Sequence, residues 1–120
     1  MARYQHLNVY KKSYDFNLYF FKLSRGLPKD YKYGIGQEIR QHAVSLIDQI
    51  ILANNATQKV YNLTEAEHCL DMIKIRVRIL YDLKVIKSQS YEYISRTLVD
   101  ITHQISAWKK WCERAGDGAT

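Results

Sequence analysis

The apolar residues of this 120-residue chain recur at intervals of three and four positions, which is the spacing of one face of an α-helix. One proline and five glycines leave few of the turn residues that β-hairpins need. The pattern therefore predicts an all-α protein. The predicted helices run over residues 6–25, 35–53, 64–86 and 89–112.

Local signals mark several of the predicted helix ends. Pro28 follows the first helix, and proline cannot continue a helix. Gly34 and Gly36 stand where the loop turns into the second helix. Thr64 and Glu67 have the spacing of a capping box, in which each side chain bonds a free backbone N–H group, so we expect the third helix to begin there.

Amphipathic helices of this length, joined by short loops, pack as an up-down-up-down four-helix bundle. The chain length fits a single domain over residues 1–120. We therefore expect one bundle and no second domain.

Two helices carry more apolar surface than a monomeric bundle needs. A helix at the surface of a monomer requires one apolar face of about 100°. The first predicted helix is aromatic over more than half of its circumference, and the third has a second apolar row beside its core stripe. The surplus favours a homo-oligomer. The expected interface residues are Phe16, Phe20, Met72, Ile75, Ile79 and Leu83.

The charge balance indicates the class of partner. Lysine and arginine number 18 against 12 acidic residues, which gives a formal charge of +6 and favours phosphate-bearing partners or an acidic protein surface. Cys69 and Cys112 have neither disulfide-framework nor zinc-ligand spacing. The amino end does not have the pattern of a signal peptide, and no apolar run approaches the ~18 residues of a membrane span. We expect a cytoplasmic protein without membrane contact.

Residues with catalytic or metal-binding potential are sparse. Glu65 and His68 have the i, i+3 spacing of di-iron bundles, but such a site needs a second copy and two further inward glutamates. Asp100 and His103 are a poor second copy. We therefore expect no catalytic residue, no metal site and no cofactor. A metal-dependent bundle enzyme stays an alternative that stoichiometric iron or manganese in the purified protein would reveal.

Three basic residues follow one another closely on the third predicted helix. Lys74 and Arg78 lie one turn apart, and with Asp71 and Asp82 nearby they would by themselves form weak surface ion pairs. Arg76 lies on the side of the second apolar row, where we expect it to meet a partner across an interface.

Further basic residues should meet at one pole of the bundle. In an antiparallel bundle the loop after the first helix and the end of the third helix lie at the same end. Tyr31 and Tyr33 alternate with lysines there, and they could stack on unpaired bases or cover the end of the core. The expected basic pole contains Arg25, Lys29, Lys32, Lys84 and Lys87, with Arg40 adding charge from the start of the second helix.

Three segments of the chain, in their order and spacing, resemble a known family. LPKDYKYGIGQEIRQHAVSLIDQIILAN, LDMIKIRVRILYDLKVI and ISAWKKW resemble the accessory variability determinant of diversity-generating retroelements, a relative of the four-helix-bundle proteins encoded by intervening sequences in 23S ribosomal RNA genes. The resemblance covers about residues 7–111. The intervening-sequence relatives usually have a small, serine-rich second helix, and LIDQIILANN departs from that pattern. This departure favours the retroelement branch.

The resemblance implies a homopentameric barrel of bundles without catalytic activity, which binds the element's reverse transcriptase and nucleic acid during error-prone copying of a template RNA. Lys74 and Arg78 occupy the positions of two basic residues in the family's third helix, and Lys29 follows its Leu-Pro. The alternative is a ribosomal-RNA-binding bundle without a polymerase partner. The residues expected to contact polymerase, RNA or an RNA/DNA hybrid are Lys29, Lys32, Arg40, Lys74, Arg76, Arg78, Lys84 and Lys87.

Overall fold

The computed structural model describes residues 7–116 of the chain. Within this range the secondary structure is entirely helical, which confirms the all-α prediction for the residues described. The predicted helix start at residue 6 lies outside them. The helices are α1 (Asn8–Arg25), the short α2 (Lys29–Lys32), α3 (Ile35–Asn55), α4 (Val60–Asp82) and α5 (Ser88–Arg114).

The four long helices run alternately up and down. Along the α1/α5 pair, Lys12 Nζ lies 2.8 Å from Asp100 Oδ2, and the Tyr19 and Tyr93 ring centroids are 4.4 Å apart, so the two helices run in opposite directions. Contacts along α1/α3, α3/α4 and α4/α5 show the same reversal. Because α1 and α4 each pack beside α3 and α5, they are parallel to each other and occupy opposite corners of the bundle.

The core takes one stripe from each long helix. On α4 this stripe includes Leu70, Ile73 and Val77, as the spacing predicts. On α1 the core residues include Phe16 and Phe20, which are completely buried and stack with ring centroids 6.2 Å apart. The prediction that Phe16 and Phe20 lie at an oligomer interface is therefore wrong, because the protomer's own core encloses both rings.

The start of α4 differs from the prediction. α4 begins at Val60, and the Thr64 hydroxyl donates to the Val60 carbonyl oxygen at 2.8 Å, as a mid-helix threonine does. The Glu67 carboxylate instead accepts a hydrogen bond of 2.8 Å from Lys109 on α5. The capping box is therefore wrong, because its two residues lie inside a helix that starts one turn earlier.

α4 also ends earlier than predicted, at Asp82. Lys84 has a φ of 60° in the left-handed region, and the Val85 N–H donates to the Leu80 carbonyl oxygen at 2.9 Å, which closes the helix end. The apolar residues up to Ile86 suggested continuation, but Ile86 lies in the loop and is buried against the core.

The loop between α1 and α3 is folded tightly onto the end of the bundle. A Cβ atom at Gly36 would lie 2.8 Å from the Tyr31 carbonyl oxygen and 3.1 Å from a Leu27 methyl carbon, so only glycine permits this approach. Arg40 further ties the loop to α3, because its guanidinium donates to the Lys32 carbonyl oxygen at 3.2 Å. The short α2 thus holds its lysines at a fixed place.

Candidate interaction surfaces

α4 presents an apolar ridge to solvent. The α4 ridge consists of Met72, Ile75, Ile79 and Leu83. Ile75 and Leu83 are each 55% exposed and Ile79 is 42% exposed, which is unusual for such large aliphatic side chains in a row. Met72 is half-buried beside α3. The four ridge residues are open to a partner, and their role in assembly stays a prediction.

A second apolar surface lies along α1 and α3. The α1/α3 face contains Tyr14, Leu18 and Phe21 of α1 with Val44 of α3, and all four are exposed. Phe21 and Val44 border a shallow cleft of about 490 Å³. The sequence gives α1 two apolar stripes of similar spacing, and the structure buries the one containing Phe16 and leaves this one outside. The exposed aromatic residues of α1 are thus different from those predicted.

Arg76 is bound within its own chain. Its Nε lies 3.1 Å from Glu38 Oε1 on α3, and its terminal nitrogen donates to the Met72 carbonyl oxygen at 3.2 Å. This pair removes the reason for expecting Arg76 to meet a partner across an interface, because a carboxylate 38 positions away in the sequence already neutralises it.

Lys74 and Arg78 differ in their surroundings although they lie one turn apart. Arg78 Nε donates to both Asp82 oxygens, at 2.9 and 3.1 Å, and the hydrogen bonds to Asp82 and Tyr91 raise the pKa of its guanidinium. Lys74 is half-buried at the α4/α5 seam and has no hydrogen-bond or carboxylate partner among the described residues. The predicted pairing of Arg78 with Asp82 is confirmed, whereas Lys74 forms no pair with Asp71.

The predicted basic pole is assembled by the topology. Since α1 and α4 are parallel, the loops at residues 26–34 and 83–87 lie at the same end of the bundle. Lys29, Lys84 and Lys87 are exposed there. The basic pole consists of these three lysines with Arg25 and Lys32.

Aromatic rings accompany the basic pole. Tyr33 is 61% exposed with Lys32 Nζ 5.6 Å from its ring centroid, while Tyr31 packs against the core and covers its end. Near the start of α5, Tyr81 and Tyr91 stack with ring centroids 4.1 Å apart and an interplanar angle of 8°. Sequence reasoning missed this second pair, because its members come from different helices.

Arg40, which was expected to extend the basic surface, makes contacts within its own chain. Its guanidinium carbon lies 6.0 Å from the Phe21 ring centroid, in addition to the hydrogen bond to the Lys32 carbonyl oxygen. Arg40 therefore supports the loop and the α1/α3 face more than it adds a free charge to the pole.

A cleft between α3 and α4 gathers side chains with metal-ligand chemistry. His42, Glu65, His68 and Cys69 line it, and His68 Nδ1 lies 4.0 Å from Glu65 Oε2. Desolvation lowers the pKa of His42 and raises the pKa of the Cys69 thiol. In the part of the chain that the structure describes, no three His, Cys, Asp or Glu residues come close enough together to hold a metal ion.

Comparison with known proteins now places the chain. The family described as bAvd-like matches residues 7–112. This range contains α1 to α4 and all of α5 except for its last two residues. The chain belongs to the bAvd-like family. This family is one of accessory, non-catalytic proteins, and membership indicates an accessory protein of the Avd type. A search of the curated proteins found no match.

The bAvd-like protein has no helix among residues 7–116 that is both long enough and apolar enough to pass through a bilayer. Its candidate interaction surfaces are the α4 ridge, the α1/α3 face, the basic pole and the seam beside Lys74. Lys59, which sequence reasoning did not single out, donates to the Ala53 and Ala56 carbonyl oxygens and closes the end of α3. That role is structural.

Proposed function

We propose that this bAvd-like protein is a non-catalytic accessory protein of a diversity-generating retroelement. In this role it binds the element's reverse transcriptase together with template RNA or its cDNA, and it supports mutagenic reverse transcription. The observation that carries the proposal is the family match over residues 7–112. The distribution of charged and apolar groups on the bundle supports it.

The basic pole is the proposed nucleic-acid surface. Lys29, Lys84 and Lys87 are exposed, and no carboxylate among the described residues forms an ion pair with any of them. Such lysines attract phosphates without reading base identity. The exposed Tyr33 ring offers a platform on which an unpaired base can stack. This surface suits RNA or an RNA/DNA hybrid in any sequence.

The two apolar faces support a closed homo-oligomer. The α4 ridge and the α1/α3 face lie on different sides of the bundle, because α1 and α4 occupy opposite corners. When one face of a protomer covers the other face of the next, the contact is head-to-tail, and such contacts form a ring when the rotation from one protomer to the next closes. The family resemblance supplies the number five. A pentamer of chains with formal charge +6 would carry about +30, enough to bind nucleic acid through many individually weak contacts.

Reconstituted cDNA synthesis tests the proposed function. The reverse transcriptase of the proposed retroelement is assayed on its template RNA with and without the purified protein, and the cDNA is sequenced. We expect cDNA with substitutions at template adenines only when the protein is present. Equal yield and equal fidelity without the protein would contradict the proposal. Tight binding to folded ribosomal RNA with no effect on the polymerase would instead favour the intervening-sequence alternative.

A further inference from the structure

A small cleft opens at the seam between α4 and α5. It has a volume of about 200 Å³, enough for one large side chain. Val77 and Leu98 form its floor and are almost completely buried, while Val99 forms one edge and is 50% exposed. The cleft is thus an apolar pocket that is open to solvent on one side.

Lys74 stands at this cleft as an unusual cation. It is half-buried, and its aliphatic stem lines the pocket while its ammonium group has no partner among the described residues. Every other half-buried lysine or arginine within residues 7–116 has a carboxylate, a carbonyl oxygen or an aromatic ring beside it. An unpaired positive charge next to an apolar pocket is complementary to a carboxylate next to an apolar side chain.

The rest of the cleft is held rigid. Tyr91 lines one end, and its ring stacks on Tyr81 with ring centroids 4.1 Å apart. Arg78 is neutralised by Asp82, so it does not compete with Lys74 for an incoming anion. The remaining polar group of the lining is the Ser95 hydroxyl. A nucleobase would find too few donors and acceptors here, which favours a protein side chain.

We infer that the α4/α5 cleft binds an acidic polypeptide segment of the reverse transcriptase. One large aliphatic or aromatic side chain of that segment enters the pocket, and a neighbouring carboxylate pairs with Lys74. The inference rests on the proposed function in taking the polymerase as the source of the segment. It separates the two partners in space, with nucleic acid at the basic pole and polymerase at the seam.

Binding of the full-length protein to the reverse transcriptase and to RNA distinguishes the two surfaces. We expect Lys74→Glu and Val99→Asp each to weaken polymerase binding by roughly tenfold, the effect of losing one favourable interface contact, while RNA affinity falls much less. Leu52→Asp, at an equally exposed position on α3, and Lys110→Glu, on the far turn of α5, are the controls and should leave polymerase binding unchanged. Polymerase binding that survives both seam substitutions would overturn the inference while leaving the proposed function in place.

A probe that needs no polymerase tests the chemistry of the cleft. Methyl NMR of the full-length protein is recorded with the blocked dipeptide Ac-Leu-Glu-NH2, with Ac-Leu-Lys-NH2 and with adenosine monophosphate. We expect the Leu-Glu peptide to shift the methyl signals of Val77, Leu98 and Val99, and the other two compounds to leave them in place. Shifts caused by adenosine monophosphate alone would make this a nucleotide site and overturn the inference. If the Leu-Glu peptide causes these shifts but the protein does not bind the polymerase, the cleft does bind an apolar side chain beside a carboxylate. The polymerase is then not its source, and the proposed function is refuted.

Discussion

The Arg76 guanidinium and the Glu38 carboxylate join α4 to α3, with Nε 3.1 Å from Oε1. This pair uses the charge of Arg76 inside the protomer. Arg78, two positions further along, is paired with Asp82. Of these three basic residues of α4, Lys74 is therefore the one whose charge has no partner among the described residues. Neighbouring positions on one helix thus have different roles, which the structure separates.

Arg76→Ala should affect stability and leave partner binding unchanged. The pair is partly exposed, since the Glu38 side chain is 55% accessible, so we expect the free energy of unfolding to fall by at most about 1 kcal/mol. Chemical denaturation measures this loss, and RNA and polymerase affinities are measured in parallel. A tenfold or greater loss of either affinity, with the fold intact, would place Arg76 on a contact surface and contradict its internal role.

Two buried serines of α1 form a matched pair for testing hydrogen-bond energetics. The Ser13 hydroxyl is completely buried and has no hydrogen-bond partner within residues 7–116, whereas the Ser24 hydroxyl donates to the Phe21 carbonyl oxygen at 2.9 Å. Both substitutions by alanine gain the same helix propensity. We expect Ser13→Ala to raise the free energy of unfolding, and to leave it about 1 kcal/mol above that of Ser24→Ala in denaturant titrations. Equal values would show that the Ser13 hydroxyl has a partner in solution.

Gly36→Ala should destabilise the protein through a steric clash. The added methyl group would lie 2.8 Å from the Tyr31 carbonyl oxygen, which is backbone and cannot rotate away, so we expect a loss of about 1–3 kcal/mol in unfolding free energy. Gly26→Ala is the control. Its methyl group would lie 3.7 Å from the nearest atom outside its neighbours, and we expect a gain of about 0.5 kcal/mol from reduced chain entropy. Thermal unfolding that ranks Gly36→Ala above Gly26→Ala would refute the close approach.

Ile79→Glu should dissociate the proposed oligomer. Ile79 lies at the middle of the α4 ridge, where a carboxylate would be buried without a partner when the next protomer covers it. We expect light scattering after size exclusion to show a smaller species with unchanged helical circular dichroism. Val99→Glu is the control, because Val99 is at least as exposed as Ile79 but lies outside both apolar faces, and this variant should assemble normally. Assembly that Ile79→Glu does not disturb would remove the α4 ridge from the interface.

Much of the fold follows from local pattern. The core stripe of α4 was predicted correctly because Leu70, Ile73 and Val77 recur with a helical period and only one face can be buried. The same reasoning failed for α1, because this helix has two apolar stripes of similar spacing, one with Phe16 and Phe20 and one with Leu18 and Phe21. Spacing alone does not indicate which stripe faces the core of the bundle. Which stripe is buried depends on packing against α3 and α5. On the buried side of α1, the Asn17 side-chain amide donates to the carbonyl oxygens of Ser13 and of Ala43 on α3.

The candidate site was predictable in composition and less so in detail. The parallel direction of α1 and α4 follows from the order of the helices, so the sequence was enough to predict that the basic residues of the two loops lie at the same end of the bundle. Which basic residues form ion pairs within the chain was not predictable, because the partners of Arg76 and Lys109 lie 38 and 42 positions away in the sequence. The capping box failed for another reason: α4 begins at Val60, so Thr64 and Glu67 lie inside the helix, and Glu67 pairs with Lys109 on α5.

The salt dependence of RNA binding tests the central claim most directly. Anisotropy of a fluorescent template RNA is measured across a salt series with the wild-type protein, with Lys84→Glu/Lys87→Glu at the basic pole, and with Lys110→Glu/Arg114→Glu at the opposite end, which changes the net charge equally. We predict that log affinity falls linearly with log salt by several units, at about 0.9 or less per phosphate contacted, and that the pole variant alone has a smaller slope and weaker binding. The account would be contradicted if the wild-type protein did not bind RNA at low salt, or if both double variants lost affinity equally.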